Sequence, residues 1–367
     1  MKIQFIDLKR QYELLKSDID AQIQTVIDNS SFIMGPQINE LEKKLAEHVG
    51  VKHAISCASG TDALLLPLLA YDIQPGDEII TTAFSFIATA EVIAFLKAKP
   101  VFVDIDPETY NIDSSKIHAA ITSRTKGIIA VNIFGQCADF DEINAIARDH
   151  GLFVIEDAAQ SFGAEYQNRR SCSLADMGCT SFFPAKPLGC YGDGGMIFTN
   201  DSKRADVMES IRVHGKGTDK YDNIRIGVNA RMDTIQAAIV LAKFKPYADE
   251  IQARQRVAKY YSDGLADVVC VPKILNHNRS VFAQYSIRVR EREGLINFLK
   301  QKQIPTAIHY PKPLHLQTAF AYLGYKADSL PVAEAVCKDI LALPMHPYLT
   351  KEEQDHIIGS IKEFYQK

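Results

Sequence analysis

The chain has 367 residues, 47% of them apolar and 23% charged, a composition that can bury a sizeable core and excludes both a disordered chain and a disulfide-stapled miniprotein. Its 41 Lys+Arg against 45 Asp+Glu leave a formal charge of -4, without the basic surplus that binding along a phosphate backbone needs, so nucleic acid is not an expected partner. At roughly 100 to 200 residues per domain, the length suggests two domains, or one large domain with an appendage.

The seven cysteines include no C-x-x-C pair and are odd in number, which argues against a disulfide framework or a zinc site. The segment Met1 to Asp7 carries charge early and has no signal-peptide apolar core, and no run of about 18 apolar residues follows. A soluble, cytoplasmic protein without a membrane span is expected.

In chain order, Gly35-Pro36 reads as a turn and residues 37–48 as a helix, with apolar side chains at 38, 41 and 45 and Gly50 as its stop. Short apolar runs at 53–57, 78–81, 100–103, 127–132, 152–156, 179–183 and 196–199 read as buried strands. Helical stretches such as 88–96 and 139–149 lie between them. The alternation predicts an α/β fold with a largely parallel sheet covered on both faces, whose ligands bind at the carboxyl ends of the strands. A long helical pattern over 234–261 follows, then a strand over 282–289 and a helix over 291–302 in a smaller α+β region.

Five segments could carry chemistry. Ser59-Gly60-Thr61-Asp62 lies between a strand and a helix and could cradle a phosphate or simply cap the helix. The strand over 152–156 runs into Glu156-Asp157, and period-two geometry sends these two acids to opposite faces. Lys186 sits between Pro184 and Pro187 in a Gly-rich turn, where desolvation would favour the neutral amine that forms Schiff bases. Gly227 to Thr234, with Asn229 and Arg231, precedes the long helix. Finally, Ile308-His309-Tyr310-Pro311-Lys312-Pro313 gathers polar side chains in a proline-restrained loop.

Taken in order, Phe5-Ile6-Asp7-Leu8, Ser59-Gly60-Thr61, Glu156 to Gln160, Ser181 to Lys186, Asn229 to Met232 and His309-Tyr310-Pro311 resemble the sugar aminotransferases of the DegT/DnrJ/EryC1/StrS family. The resemblance implies a type I pyridoxal 5'-phosphate (PLP) transferase fold, like that of aspartate aminotransferase. It would have a large PLP-binding domain with an N-terminal arm over 1–245 and a small C-terminal domain over 246–367. It also implies that Lys186 bonds the cofactor as a Schiff base and moves the proton, and that Asp157 pairs with the pyridine nitrogen. Gln160 would lie near the ring's phenolic oxygen and Phe86 would stack on the ring. Gly60, Thr61 and Ser181 would hold the phosphate together with Asn229 from the other subunit of a homodimer. Arg231, His309 and Tyr310 become candidates for substrate contacts, and no metal is called for.

Within that family the residues look most like the members that aminate C3 of UDP-2-acetamido-2-deoxy-3-keto-glucuronic acid, with L-glutamate as donor and 2-oxoglutarate as product, for surface polysaccharide such as lipopolysaccharide O-antigen. The family's dehydratase branch carries His where this chain has Lys186, which favours aminotransfer. Rival readings are a C3 or C4 aminotransferase for a dTDP- or UDP-linked keto-deoxysugar, a metal-dependent glycosyltransferase using Asp104-Ile105-Asp106, and a non-catalytic regulator.

Overall fold

The computed structural model describes residues 3–219 and 221–366; Met1 and Lys2, where the expectation about the N-terminus begins, lie outside the described residues, as do Lys220 and Lys367. In chain order the strands are β1 (His53–Cys57), β2 (Glu78–Thr82), β3 (Lys99–Val103), β4 (Thr125–Val131), β5 (Phe153–Asp157), β6 (Glu165–Tyr166), β7 (Arg169–Arg170), β8 (Met177–Ser181), β9 (Gly195–Thr199), β10 (Asn278–Arg279), β11 (Tyr285–Arg288) and β12 (Ile340–Leu343). Seven of them form one sheet in the order β1-β9-β8-β5-β4-β2-β3. It is parallel except at β9, which pairs antiparallel with both β1 and β8.

Strand alternation divides the apolar side chains between two cores. Ile80, Ile128, Val154 and Phe198 face helices Pro36–Val49, Phe140–His150 and Thr234–Phe244, which supply Leu41, Phe140 and Val240. Their neighbours Ile79, Ile129, Ile155 and Ile197 face helices Gly60–Ala70, Ala88–Phe95 and Ser202–Arg212, which supply Leu66, Val92 and Met208. Helix Pro36–Val49 opens with proline at its first position and ends on Gly50 in the left-handed conformation (φ 86°), the arrangement that leaves the fewest unsatisfied backbone groups at low strain.

Two expected elements differ. The helical pattern over 234–261 is two helices, Thr234–Phe244 and Tyr247–Leu265, because Pro246 has no N–H to continue the ladder and its ring clashes with the preceding turn. The strand expected over 282–289 is confined to β11, since Phe282 lies at positive φ (46°) and its N–H is taken by Ser280 Oγ.

Beyond Pro246, β11 and β12 pair antiparallel. A separate apolar cluster joins Tyr285, Ile287 and Leu341 to Val257, Leu295 and Ile357 of the surrounding helices. Ile3 belongs to this cluster too, and the Met345 N–H donates to the Phe5 carbonyl at 3.1 Å. The chain's first described residues thereby lie against its last third. No helix of the described residues is long and apolar enough to cross a membrane.

Candidate active site

The carboxyl ends of β1, β2, β5 and β8 open onto one cavity of about 690 Å³, where the strand-end rule for such sheets places ligands.

At β1, helix Gly60–Ala70 starts at the cavity wall with Ser59 as its cap: Ser59 Oγ accepts the Asp62 N–H and donates to the Asp62 carboxylate, both at 3.0 Å. The capping reading of this segment therefore holds for Ser59, while Gly60 and Thr61 line the cavity. A Cβ on Gly60 would stand 2.6 Å from Ser181 Cβ, and one on Gly195 would stand 2.2 Å from the Ser59 carbonyl oxygen. Only glycines let the helix start, β8 and β9 close up here. The result is a helix N-terminus flanked by the Thr61 and Ser181 hydroxyls, which suits a phosphate.

At β5 the two acids separate. Glu156 is fully buried on the core side. There it accepts hydrogen bonds from Asn132 Nδ2 (2.8 Å), Ser171 Oγ (2.7 Å), Cys172 N–H (2.8 Å) and Leu174 N–H (3.1 Å). Asp157 faces the cavity and accepts from Thr89 Oγ1 (2.8 Å) and the Ala159 N–H (3.2 Å). Burial pushes the Asp157 carboxyl above the usual carboxylate range, opposed by these two hydrogen bonds and by the charge of Lys186. A cation placed against it would offset the burial cost and restore the charge.

After β8, the turn carrying Lys186 is closed by its own N–H donating to the Phe183 carbonyl at 2.9 Å. Gly189 packs so tightly beneath that a Cβ would come within 2.6 Å of the same oxygen. Lys186 lines the cavity. Burial holds its ammonium below the usual lysine range while Asp157 pulls the other way, so the neutral amine becomes accessible.

Gln160 is pinned at both ends: Oε1 accepts the Phe134 N–H at 2.7 Å and Nε2 donates to the Tyr310 hydroxyl at 3.1 Å. Burial pushes the Tyr310 hydroxyl up, and with Asp157 nearby it stays protonated. His309 is pushed down by burial and by Lys186, which keeps it neutral. Phe86 lines the cavity with 54% of its surface exposed, its ring 6.3 Å from that of Tyr310. That free face can stack on an aromatic ring in a chain without tryptophan.

Nine of the eleven expected residues thus surround one cavity. Asn229 is exposed, bridged to Val213, and neither it nor Arg231 lines this chain's cavity. The Nε of Arg231 is buried without a hydrogen-bond partner. Sequence reasoning missed Ser85 and Thr89, whose hydroxyls lie 3.0 Å apart behind Asp157. Their position at the start of a helix after a strand end is the same signal that marked Gly60 and Thr61. It also missed Asp193 and Gln284 on the wall, for which no local pattern exists.

The acid-x-acid pair reads as backbone capping. Asp104 accepts the N–H groups of Val332 (3.0 Å) and Ala333 (2.8 Å), and Asp106 those of Glu108 and Thr109. No group of three or more His, Cys, Asp or Glu among the described residues is placed to hold a metal.

A mainly parallel sheet with a desolvated lysine and a buried aspartate facing one cavity, beside a phosphate-fitting helix start, defines a PLP-dependent transferase of α/β fold. The model of the DegT/DnrJ/EryC1/StrS aminotransferase family matches residues 13–362, and the chain belongs to that family. It is a nucleotide-sugar aminotransferase that uses PLP. It is 53% identical, over 95% of its length and 96% of the relative's, to the UDP-2-acetamido-2-deoxy-3-oxo-D-glucuronate aminotransferase of Pseudomonas aeruginosa. A "pleiotropic regulatory protein" of Geobacillus stearothermophilus is 46% identical over 100% of this chain and 99% of its own. Among solved structures, a DegT DnrJ EryC1 StrS aminotransferase from Brucella abortus superposes with a TM-score of 0.97 at 48% identity, covering 100% of both chains.

Proposed function

We propose that this enzyme transfers the amino group of L-glutamate to C3 of UDP-2-acetamido-2-deoxy-3-keto-glucuronic acid in the cytoplasm, on the route to surface polysaccharide such as lipopolysaccharide O-antigen. The 53% identity to an aminotransferase named for that keto sugar carries the substrate assignment, and Lys186 beside Asp157 carries the chemistry.

PLP, when bound, would supply an electron sink and a carrier for the amino group. Lys186 is the residue that would hold it. Its neutral Nζ accepts the proton from the Cα of the donor and returns a proton to the sugar carbon in the second half of a ping-pong cycle. Asp157 keeps a proton on the pyridine nitrogen, and Thr89 and the Ala159 N–H hold that carboxylate in place. Gly60, Thr61 and Ser181 would receive the phosphate and Phe86 would stack on the ring, while Gln160 fixes Tyr310 on the cavity wall.

The charge inventory supports a homodimer. Lys186 is the only Lys or Arg lining the cavity among the described residues, against two carboxylates, Asp157 and Asp193. The donor and the nucleotide sugar both bring further negative charge. Asn229 and Arg231 supply the missing groups if they enter the neighbouring copy's site. They sit beside a loop with Ile226 95% exposed, an apolar side chain that a partner would cover. Within each copy, the division at 245/246 separates a cofactor domain from a smaller one, as Pro246 interrupts the helical run.

Holoenzyme treated with glutamate and then with a panel of UDP- and dTDP-linked 3-keto and 4-keto sugars tests the reading. Turnover of the uronate well above the others is expected; equal turnover of a dTDP-linked deoxysugar would sink the assignment. The non-catalytic alternative, which the name of one relative suggests, requires no turnover with any sugar of the panel. Mixing Lys186→Ala subunits with Arg231→Ala subunits should restore activity in heterodimers; no restoration refutes the shared site.

A further inference from the structure

One polar group on the cavity wall has no task in this scheme. Gln284 lies between this cavity and a second, smaller one, lining both, and its Oε1 is buried without a hydrogen-bond partner. An unmet buried amide oxygen is costly, so its persistence calls for a ligand group to meet it. The backbone that carries the amide is also held in place. It directly precedes β11, after the turn at Phe282, and the Val281 N–H donates to the Gly135 carbonyl at 3.1 Å. Gly135 lies at φ 104°, and a Cβ there would come within 2.9 Å of both the Phe282 and Ala283 backbone nitrogens. The backbone carrying Gln284 is therefore clamped against glycine, as pre-organised recognition requires.

We infer that Gln284 is a specificity-determining residue that recognises the 2-acetamido group of the sugar. This rests on the substrate class proposed above and deepens it. A neutral carboxamide presents an acceptor and a donor together, the complement of a secondary amide with its N–H and C=O. A carboxylate would instead call for the fork of an arginine. Apolar side chains that line the same cavity, Phe5, Ile6 and Ala307 among them, suit the acetamido methyl. A sugar with a hydroxyl at C2 lacks both the second polar atom and the methyl, so the site rejects it by leaving the Gln284 amide half satisfied.

The test compares kcat/KM of the holoenzyme for the 2-acetamido 3-keto uronate and for its 2-hydroxy analogue, together with the glutamate half-reaction followed in single turnover. Wild type is expected to favour the acetamido sugar. Gln284→Leu and Gln284→Glu, which remove or replace the amide at nearly constant volume, should shrink that preference on the order of tenfold or more, with the loss in kcat/KM for the acetamido sugar well beyond any in the glutamate half-reaction. An unchanged preference in both variants overturns the inference, and so does an equal loss in both half-reactions, which would mark Gln284 as structural only. If wild type fails to turn over the acetamido uronate at all, the substrate reading itself falls.

Discussion

Glu156 and Asp157 are neighbours on one strand, both buried carboxylates, yet they belong to different regions. Around Glu156 the protein is closed: four donors from two segments, Asn132 and the loop 171–174, converge on it and oppose the burial that pushes its carboxyl up. Around Asp157 the protein is open to the cavity and supplies only Thr89 and one N–H. The remaining capacity of Asp157 is held for a ligand. The difference teaches that a buried acid is a functional candidate when its partners fall short of its capacity, and a structural one when they match it.

The largest effect on the open side should come from Lys186→Ala, with transamination falling on the order of 10⁴-fold and little change in melting temperature of the apoprotein. Borohydride reduction of the holoenzyme should attach cofactor mass to the peptide containing Lys186 in wild type and to none in the variant. Wild-type turnover by Lys186→Ala would remove the chemistry assigned to this turn.

On the closed side, Glu156→Ala strands the N–H groups of Cys172 and Leu174 and leaves the Ser171 hydroxyl only Ser161 and Asn132 as partners. A stability loss of about 3–5 kcal/mol is expected in urea melts, with any activity loss tracking the fraction unfolded. Stability within error of wild type would erase the contrast between the two acids.

Asp157→Asn should do the reverse, costing on the order of a hundredfold in kcat without destabilising the apoprotein. The sign with pH follows from burial. Its folded-state pKa lies above the unfolded value, so the native state binds more protons in the window between them, and cofactor-free protein loses stability as pH rises through the carboxylate range. The variant should show a shallower slope, since burial also pushes up the carboxyls of Glu156, Asp62 and Glu209. A stability curve for Asp157→Asn that falls with pH as in wild type would show that another group causes it.

This contrast was partly legible in the sequence. An apolar run ending in two acids fixes opposite faces by strand geometry alone, and the runs at 53–57 and 196–199 fall within a residue of β1 and β9 because alternation and flanking glycines mark buried strands. Which acid faces the cavity was not legible, since Asn132, Ser171 and Thr89 reach β5 from distant parts of the chain. Helix Leu8–Asp28 was legible too, since Leu8, Tyr12, Leu15, Ile19, Ile23 and Val26 recur along it at three- and four-residue spacing, although the expected elements begin only at Gly35-Pro36. Lys245-Pro246 hid a break because apolar spacing continues on both sides of it.

The smallest effect separates the role of Thr89 from mere packing. Thr89→Val keeps the shape but removes the donor to Asp157 Oδ2, which raises the carboxyl's pKa further and leaves less of its charge to hold the proton on the cofactor nitrogen. A single hydrogen bond to a charged group contributes about 1.5–3 kcal/mol at most. Part of that is recovered when the cofactor nitrogen binds, so kcat should fall roughly five- to tenfold. The acid limb of the pH profile should move up as Asp157 becomes easier to protonate. Thr89→Ser restores the hydroxyl and should restore both; if Ser behaves like Val, the hydroxyl alone does not account for the effect, and the Thr89 hydrogen bond is not what tunes Asp157.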